Sequence, residues 1–211
     1  MPAARQTPAP TRDDRRRRIT DLLLVEVEQL LEAGENYADI SVERLITAAN
    51  ISRSTFYVYF EDKGALLLAL AEDVVEQLVL SAQAWWSLPH DLDRPLLEQT
   101  MRGIFRTYAQ HARMWEAMID AAAYDHKVRS SFRRVVDGST LGLEQHIRAG
   151  QAAGSIRAEL DAKRTAGWLT WMTERGLYQL LGDATTAETN RLCKAHTAIV
   201  WHTLYDGVAA A

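Results

Sequence analysis

From Ile19 onward, apolar residues in this chain recur three and four positions apart, and no strand-like alternation interrupts them. That spacing returns side chains to one face of an α-helix at every turn. Of the five prolines, three fall within the first ten residues, so little breaks the pattern later. An all-α fold is therefore expected. The 211 residues suffice for one or two domains, and 47% hydrophobic with 25% charged residues is a globular composition. A net charge of −4 argues against general polyanion binding, so any nucleic-acid surface has to be local. The single cysteine, Cys193, allows no disulfide within the chain, which fits a reducing cytoplasm. No apolar run is long enough to span a membrane, and none follows the basic N-terminus as in a signal peptide.

Residues 1–13, MPAARQTPAPTRD, read as a disordered arm. Through Arg18 the chain carries six arginines against Asp13 and Asp14, a local charge of +4. A first helix is predicted from about Asp14 to Leu31, with Ile19, Leu22, Leu23, Val27 and Leu30 on its apolar face and Gly34 as its stop. Ser41 can cap a helix over Val42 to Ala49. Asn50 stands where a tight turn needs positive φ, which Asn tolerates. Ile51 plugs the turn, and Ser52 can cap the next helix. Helix, short turn, helix is the layout of a helix-turn-helix.

The second of these helices, RSTFYVYF, has an unusual surface. Phe56 and Phe60 lie four apart and can face a core, which leaves Arg53, Ser54, Thr55, Tyr57 and Tyr59 on other faces. First-turn side chains of a recognition helix reach base edges, and arginine is the preferred reader of guanine. Hydroxyls and tyrosines can bond phosphate oxygens. Lys63 begins the following helix, where free N–H groups already favour a phosphate. Ser41 can bond a phosphate while capping, and Arg16 and Arg17 in the basic run can follow the DNA backbone. For each of these residues the plain alternative is a solvated helix face.

After Phe60, EDKGALLLALAEDVVEQLVLSAQAWW reads as one long helix capped by Asp62. LDRPLLEQTMRGIFRTYAQHA and RMWEAMIDAAAY read as two successive helices, the first capped by Asp93. A long helix ending near Gly150 or Gly154, one from Asp161 to Gly182, and a last one stopping near Gly207 complete a predicted set of nine. The small-xxx-small pairs Gly138/Gly142 and Gly150/Gly154 suggest close packing. The boundaries expected are a basic arm over 1–13, a helix-turn-helix domain over 14–62, and a second helical domain over 63–211.

Residues 19–70 resemble the DNA-binding domain of the tetracycline-repressor family of bacterial transcription regulators. The likeness rests on ADISVERLITAANISRSTFYVYFEDKGALLLAL, and within it on Thr55, Phe56, Tyr57, Phe60, Lys63, Leu66 and Leu67. Asn50 replaces the usual turn glycine, Ser54 the usual small residue before Thr, and Tyr59 a frequent His. WLTWMTERGLYQL is similar to a segment of the ethionamide-resistance regulator group, with Thr173 where an Asn often lines the pocket. The resemblance implies a homodimer joined through its last two helices. It implies a palindromic operator in double-stranded DNA and release by a small apolar effector. No cofactor, metal or membrane is implied.

All six tryptophans lie after residue 84. Core packing explains most aromatic residues there, but an apolar pocket with few polar groups is also the usual small-molecule site. Phe105, Trp115, Met118, Trp168, Trp171 and Met172 are the pocket candidates, with Thr173 as polar anchor. Glu174 and Arg175 read as an ion pair holding their helix, and Cys193 as a buried apolar residue. The histidines lack the spacing of a zinc site. Alternatives are a regulator of the same fold without a small-molecule ligand, and a helical enzyme using the aromatic pocket. The enzyme reading lacks a phosphate loop, a nucleophile elbow and a metal pair.

Overall fold

The computed structural model describes residues 11–89, 91–182 and 184–206. Among them are nine α-helices, one 3₁₀ turn and no strand. The chain divides into two compact units, Met1–Leu70 and Ala71–Ala211.

The first unit holds α1 (Arg12–Glu32), a 3₁₀ turn (Tyr37–Asp39), α2 (Val42–Ala48), α3 (Arg53–Tyr59) and α4 (Lys63–Leu70). Helix α1 begins before the expected Asp14. The Thr11 hydroxyl accepts from Asp14 N at 3.1 Å, and Thr11 N donates back to the Asp14 carboxylate at 2.9 Å. This reciprocal cap makes Arg12 and Asp13 helical, which corrects that end of the expected arm. The rest of the arm, residues 1–10, lies outside the described residues. Gly34, at φ +85°, ends α1 as expected. Leu23, Val27 and Leu31 form its buried face, whereas Leu22 turns outward.

Ser41 accepts from Arg44 N at 3.2 Å and Ser52 from Thr55 N at 3.0 Å, so both predicted caps form. Between them Asn50 has φ +50°. Ile51 N donates to Ile46 O at 2.9 Å, closing the turn onto the end of α2. Leu45, Phe56, Phe60, Leu66 and Leu67 are buried with Leu23 and Val27 in one small core.

Lys63 turns inward. Its ammonium donates to the carbonyls of Tyr37, Ala38 and Ile40 at 2.7, 2.7 and 2.9 Å. The Tyr37 hydroxyl donates to Lys63 O at 2.8 Å, and its ring lies 5.0 Å from the ammonium. A cation at a helix N-terminus is disfavoured by the helix dipole. Here three carbonyl oxygens offset that, and burial lowers the lysine pKa. The exchange links the chain just before α2 to the start of α4.

The second unit comprises α5 (Glu72–Trp86), α6 (Arg94–Tyr124), α7 (His126–Ala152), α8 (Ala162–Leu181) and α9 (Thr186–Leu204). Two sequence expectations need correction. The single long helix after Phe60 is two helices, interrupted at Ala71 with ψ −2°. Leu66, Leu67 and Leu70 serve the first unit's core, whereas Trp85 and Leu78 serve the second's. Conversely, the two helices expected between Asp93 and Tyr124 are one helix of 31 residues. Leu97, Met101, Ile104, Tyr108, Trp115 and Met118 are all buried along it, and neither proline nor glycine separates Ala112 from Met114. The count of nine thus agrees while the partition differs.

Helix α7 packs on α8, and α6 packs against α5, α7 and α9. A Cβ at Gly142 would lie 2.8 Å from the Trp86 ring, and one at Gly150 would lie 2.6 Å from Ile156, so both glycines permit close packing. Gly154, at φ +72°, ends α7. His146 Nδ1 lies 3.1 Å from Trp86 O, and its Nε2 lies 2.8 Å from the Tyr205 hydroxyl. A carbonyl only accepts, so Nδ1 carries the proton and Nε2 accepts from Tyr205. Trp85 Nε1 donates to the same hydroxyl at 3.4 Å, linking α5, α7 and the end of α9.

Replacing Lys63 with Met keeps the aliphatic stem but removes the three donors. A loss of about 2 kcal/mol is expected, because the carbonyls lose a charged partner. Urea unfolding followed by circular dichroism would show the lower midpoint. An unchanged midpoint would contradict the inward role of the ammonium.

Candidate functional site

The first unit presents one face of α3 outward. Arg53, Ser54 and Tyr57 are exposed, and Thr55 and Tyr59 are half-buried. The Ser52 hydroxyl lies 2.8 Å from both the Ser54 and Thr55 hydroxyls, so the three form one cluster on the first turn. Arg53 lies over the Tyr57 ring, 5.5 Å from its centroid, and is ion-paired with Glu43 of α2. Both partners are exposed, so the pair is worth little and can open. Phe56 anchors the other side of α3 in the core and meets Tyr57 edge-on with centroids 5.2 Å apart.

Ser41 and Arg17 are exposed at the start of α2 and on α1. The Arg16 guanidinium lies 5.9 Å from the Phe60 ring centroid, which places this part of the arginine run beside α3. Lys63 does not join the set as expected. Its three N–H donors already meet three backbone carbonyls, leaving none for a phosphate.

The second unit contains a cavity of about 100 Å³ lined from α5, α6, α7 and α8. Trp85, Trp86, Trp115, Ile104, Val136 and Leu143 supply much of its apolar wall. Of the sequence candidates, Trp115 and Thr173 line it. Phe105 is buried elsewhere, its ring 5.6 Å from the His196 ring, and Met118 is core. Met172 packs half-buried against the core. Trp168 is 79% exposed; Trp171 is 41% exposed, with its ring 6.4 Å from that of the buried Phe132, and neither lines the cavity. They lie off the α8 stripe of Ala162, Ala166, Leu169 and Leu177, which is buried.

Thr173 is a different anchor from the one expected. Its hydroxyl donates to Leu169 O at 2.7 Å, so its oxygen accepts from His196 Nε2 at 2.8 Å. Burial holds the His196 pKa down to about 4, and the ring is neutral at physiological pH. The polar groups without hydrogen-bond partners in the cavity wall are the Tyr108 hydroxyl and both oxygens of Glu174. Arg175 Nε lies 3.8 Å from Glu174 Oε2, so the ion pair read from the sequence forms, but without a hydrogen bond. Burial raises the Glu174 pKa. Burial, helped by Glu116 and Glu174, also keeps Tyr108 a neutral phenol. Tyr108 is not among the pocket candidates read from the sequence, and Glu174 is read there only as half of an ion pair beside the pocket. A carboxylate in the apolar register of α8, three before Leu177, was the available signal.

Exposed apolar side chains occur on each helix of the second unit, among them Leu80 on α5, Tyr124 on α6 and Leu141 on α7. Trp168, Trp171 and Leu180 lie outward on α8 and Ile199 outward on α9. Cys193 is buried on α9, as expected. Among the described residues no helix is long and apolar enough to cross a membrane.

Comparison with known proteins agrees with this architecture. Residues 31–70 match the family described as bacterial regulatory proteins, tetR family. Residues 97–206 match the C-terminal domain of the transcriptional regulator EthR. The HTH-type transcriptional regulator EthR of Mycobacterium tuberculosis is 34% identical over 179 residues, covering 84% of this chain and 81% of that protein. EthR of Mycolicibacterium smegmatis is 28% identical over 186 residues, covering 86% and 82%. The TetR-family regulator PfmR of Thermus thermophilus shares the fold, with a TM-score of 0.67 at 17% identity over 86% of this chain and 97% of that one. The chain belongs to the TetR family of bacterial DNA-binding transcriptional regulators and is related to EthR.

Proposed function

We propose that the protein is a homodimeric repressor that reads a palindromic operator with α3 and leaves it when a small apolar molecule occupies the second unit. The observation that carries the DNA-reading part is the outward face of α3, where Arg53, Ser54 and Tyr57 stand exposed while Phe56 is locked in the core. Arg53, Ser54 and Thr55 are the candidates for base edges. Tyr57, Tyr59 and Ser41 are the candidates for phosphate and sugar, with Arg16 and Arg17 along the backbone. Lys63 supports this face from within, since its ammonium is already engaged. Such a protein works in the bacterial cytoplasm, where the DNA lies.

The dimer contact is assigned to α8 and α9. Four large apolar side chains exposed on two adjacent helices are more than a solvated surface needs, and Trp168 at 79% exposure is the most prominent. Two such faces related by a two-fold axis would bury one another. The effector site is the cavity behind Trp115 and Thr173. A ligand releases DNA to the extent that it binds the DNA-incompetent state more tightly.

Tyr57→Ala is expected to weaken binding to operator DNA by about tenfold or more, with the unfolding midpoint unchanged. Gel-shift titration checks it, and wild-type affinity in the variant would contradict the contact. Trp168→Asp is expected to turn the dimer into a monomer with intact helical content. Sedimentation velocity checks it, and a dimer that survives would place the interface elsewhere.

A further inference from the structure

A carboxyl group in the cavity wall makes no hydrogen bond to the protein. Glu174 is 8% exposed, it lines the cavity, and neither oxygen has a hydrogen-bond partner. The Tyr108 hydroxyl in the same wall is also unpartnered. Leaving a buried carboxyl unsatisfied is costly, and natural interiors rarely do so. The Arg175 guanidinium, 3.8 Å away and half-exposed, offers charge but no hydrogen bond. The remaining walls include three indoles, from Trp85, Trp86 and Trp115.

We propose that this cavity receives a monocationic amphiphile: an apolar, ring-bearing molecule with one protonated amine, whose ammonium bonds Glu174 and Tyr108 beside the three indoles. The proposal rests on the reading of the cavity as the effector site and specifies the effector's chemistry. An ammonium has three donors and no acceptor, which suits two carboxylate oxygens and a phenol oxygen. Tyr108, kept neutral by burial, can accept from the ammonium through its phenol oxygen. Tryptophan faces attract cations through the ring quadrupole, and do so more strongly where water is excluded. Burial raises the Glu174 pKa, and a bound cation would favour its ionised form. A carboxylate guest would meet like charge, and an alcohol guest would satisfy only one oxygen.

The test uses the full-length protein and three probes of one shape: phenylbutylamine, phenylbutanol and phenylbutanoate. Isothermal titration is expected to show the amine binding at least about tenfold more tightly than the alcohol, with the carboxylate weakest. Glu174→Gln is expected to remove the amine's advantage. Glu174→Met, which takes the unsatisfied carboxyl out, is expected to raise the Tm of the ligand-free protein by about 2–4 °C. Equal or tighter binding of the alcohol by the wild type would overturn the proposal, as would failure of all three probes to bind. The wild-type comparison decides this even if a variant folds poorly. Operator affinity, measured separately on the same preparation, keeps the outcomes apart. An alcohol that binds equally well and still releases DNA would leave the repressor reading intact while ending the amine assignment.

Discussion

The ammonium of Lys63 is the constraint on which the first unit depends. Its three hydrogen bonds reach back across more than twenty residues to the carbonyls of Tyr37, Ala38 and Ile40. Everything between those points is the α2–turn–α3 segment. Fixing both ends of that segment fixes where α3 can lie. Within it, Ser41 and Ser52 set the starts of the two helices and Asn50 sets the angle between them. Phe56 and Phe60 then seat α3 by one face, and the opposite face is left outward. A short helix of seven residues is marginal alone, so its orientation comes from this packing and the flanking latch rather than from helix propensity.

The second unit follows a different logic. Its helices bury a large apolar core, yet that core is not fully satisfied. Trp86 fits against α7 only because residue 142 has no side chain, and the His146–Tyr205–Trp85 chain of hydrogen bonds ties three elements beside the cavity. Against that well-bonded background, Glu174 and Tyr108, whose side chains make no hydrogen bond, stand out. A protein selected for stability alone would have replaced Glu174 with an apolar residue of similar volume. Its presence in an aromatic-walled cavity makes function the simpler reason for it.

Much of this was legible in the sequence, where local chemistry decides. Caps at Ser41, Ser52, Asp93 and Asp161, the left-handed turn at Asn50 and the stop at Gly34 depend on neighbouring residues alone. What could not be read depended on distant partners. No glycine or proline marks the interruption at Ala71, which falls where one apolar run passes from one core to another. Lys63 looked free because its acceptors lie far away in sequence. Among the pocket candidates, composition drew attention to Trp168 and Trp171, but helical phase puts both off the buried stripe of α8. Thr173 lines the cavity, yet its hydroxyl is committed to Leu169 and His196. Glu174 pairs with Arg175 as adjacency in sequence suggests, at 3.8 Å, whereas its place in the cavity wall depends on α5, α6 and α7 and is not a local property.

The central claim is that two copies of the α3 face read DNA as a symmetric pair. Selection of bound sequences from a random pool of double-stranded DNA, using the full-length protein at moderate salt, tests it most directly. The expected result is enrichment of one motif with two-fold symmetry, its half-sites separated by about one helical turn or more, and specific affinity at least about a thousandfold above that for unselected DNA. Enrichment of a single asymmetric site would contradict the symmetric dimer, and no enrichment at all would contradict the assignment of α3 as a reader of sequence.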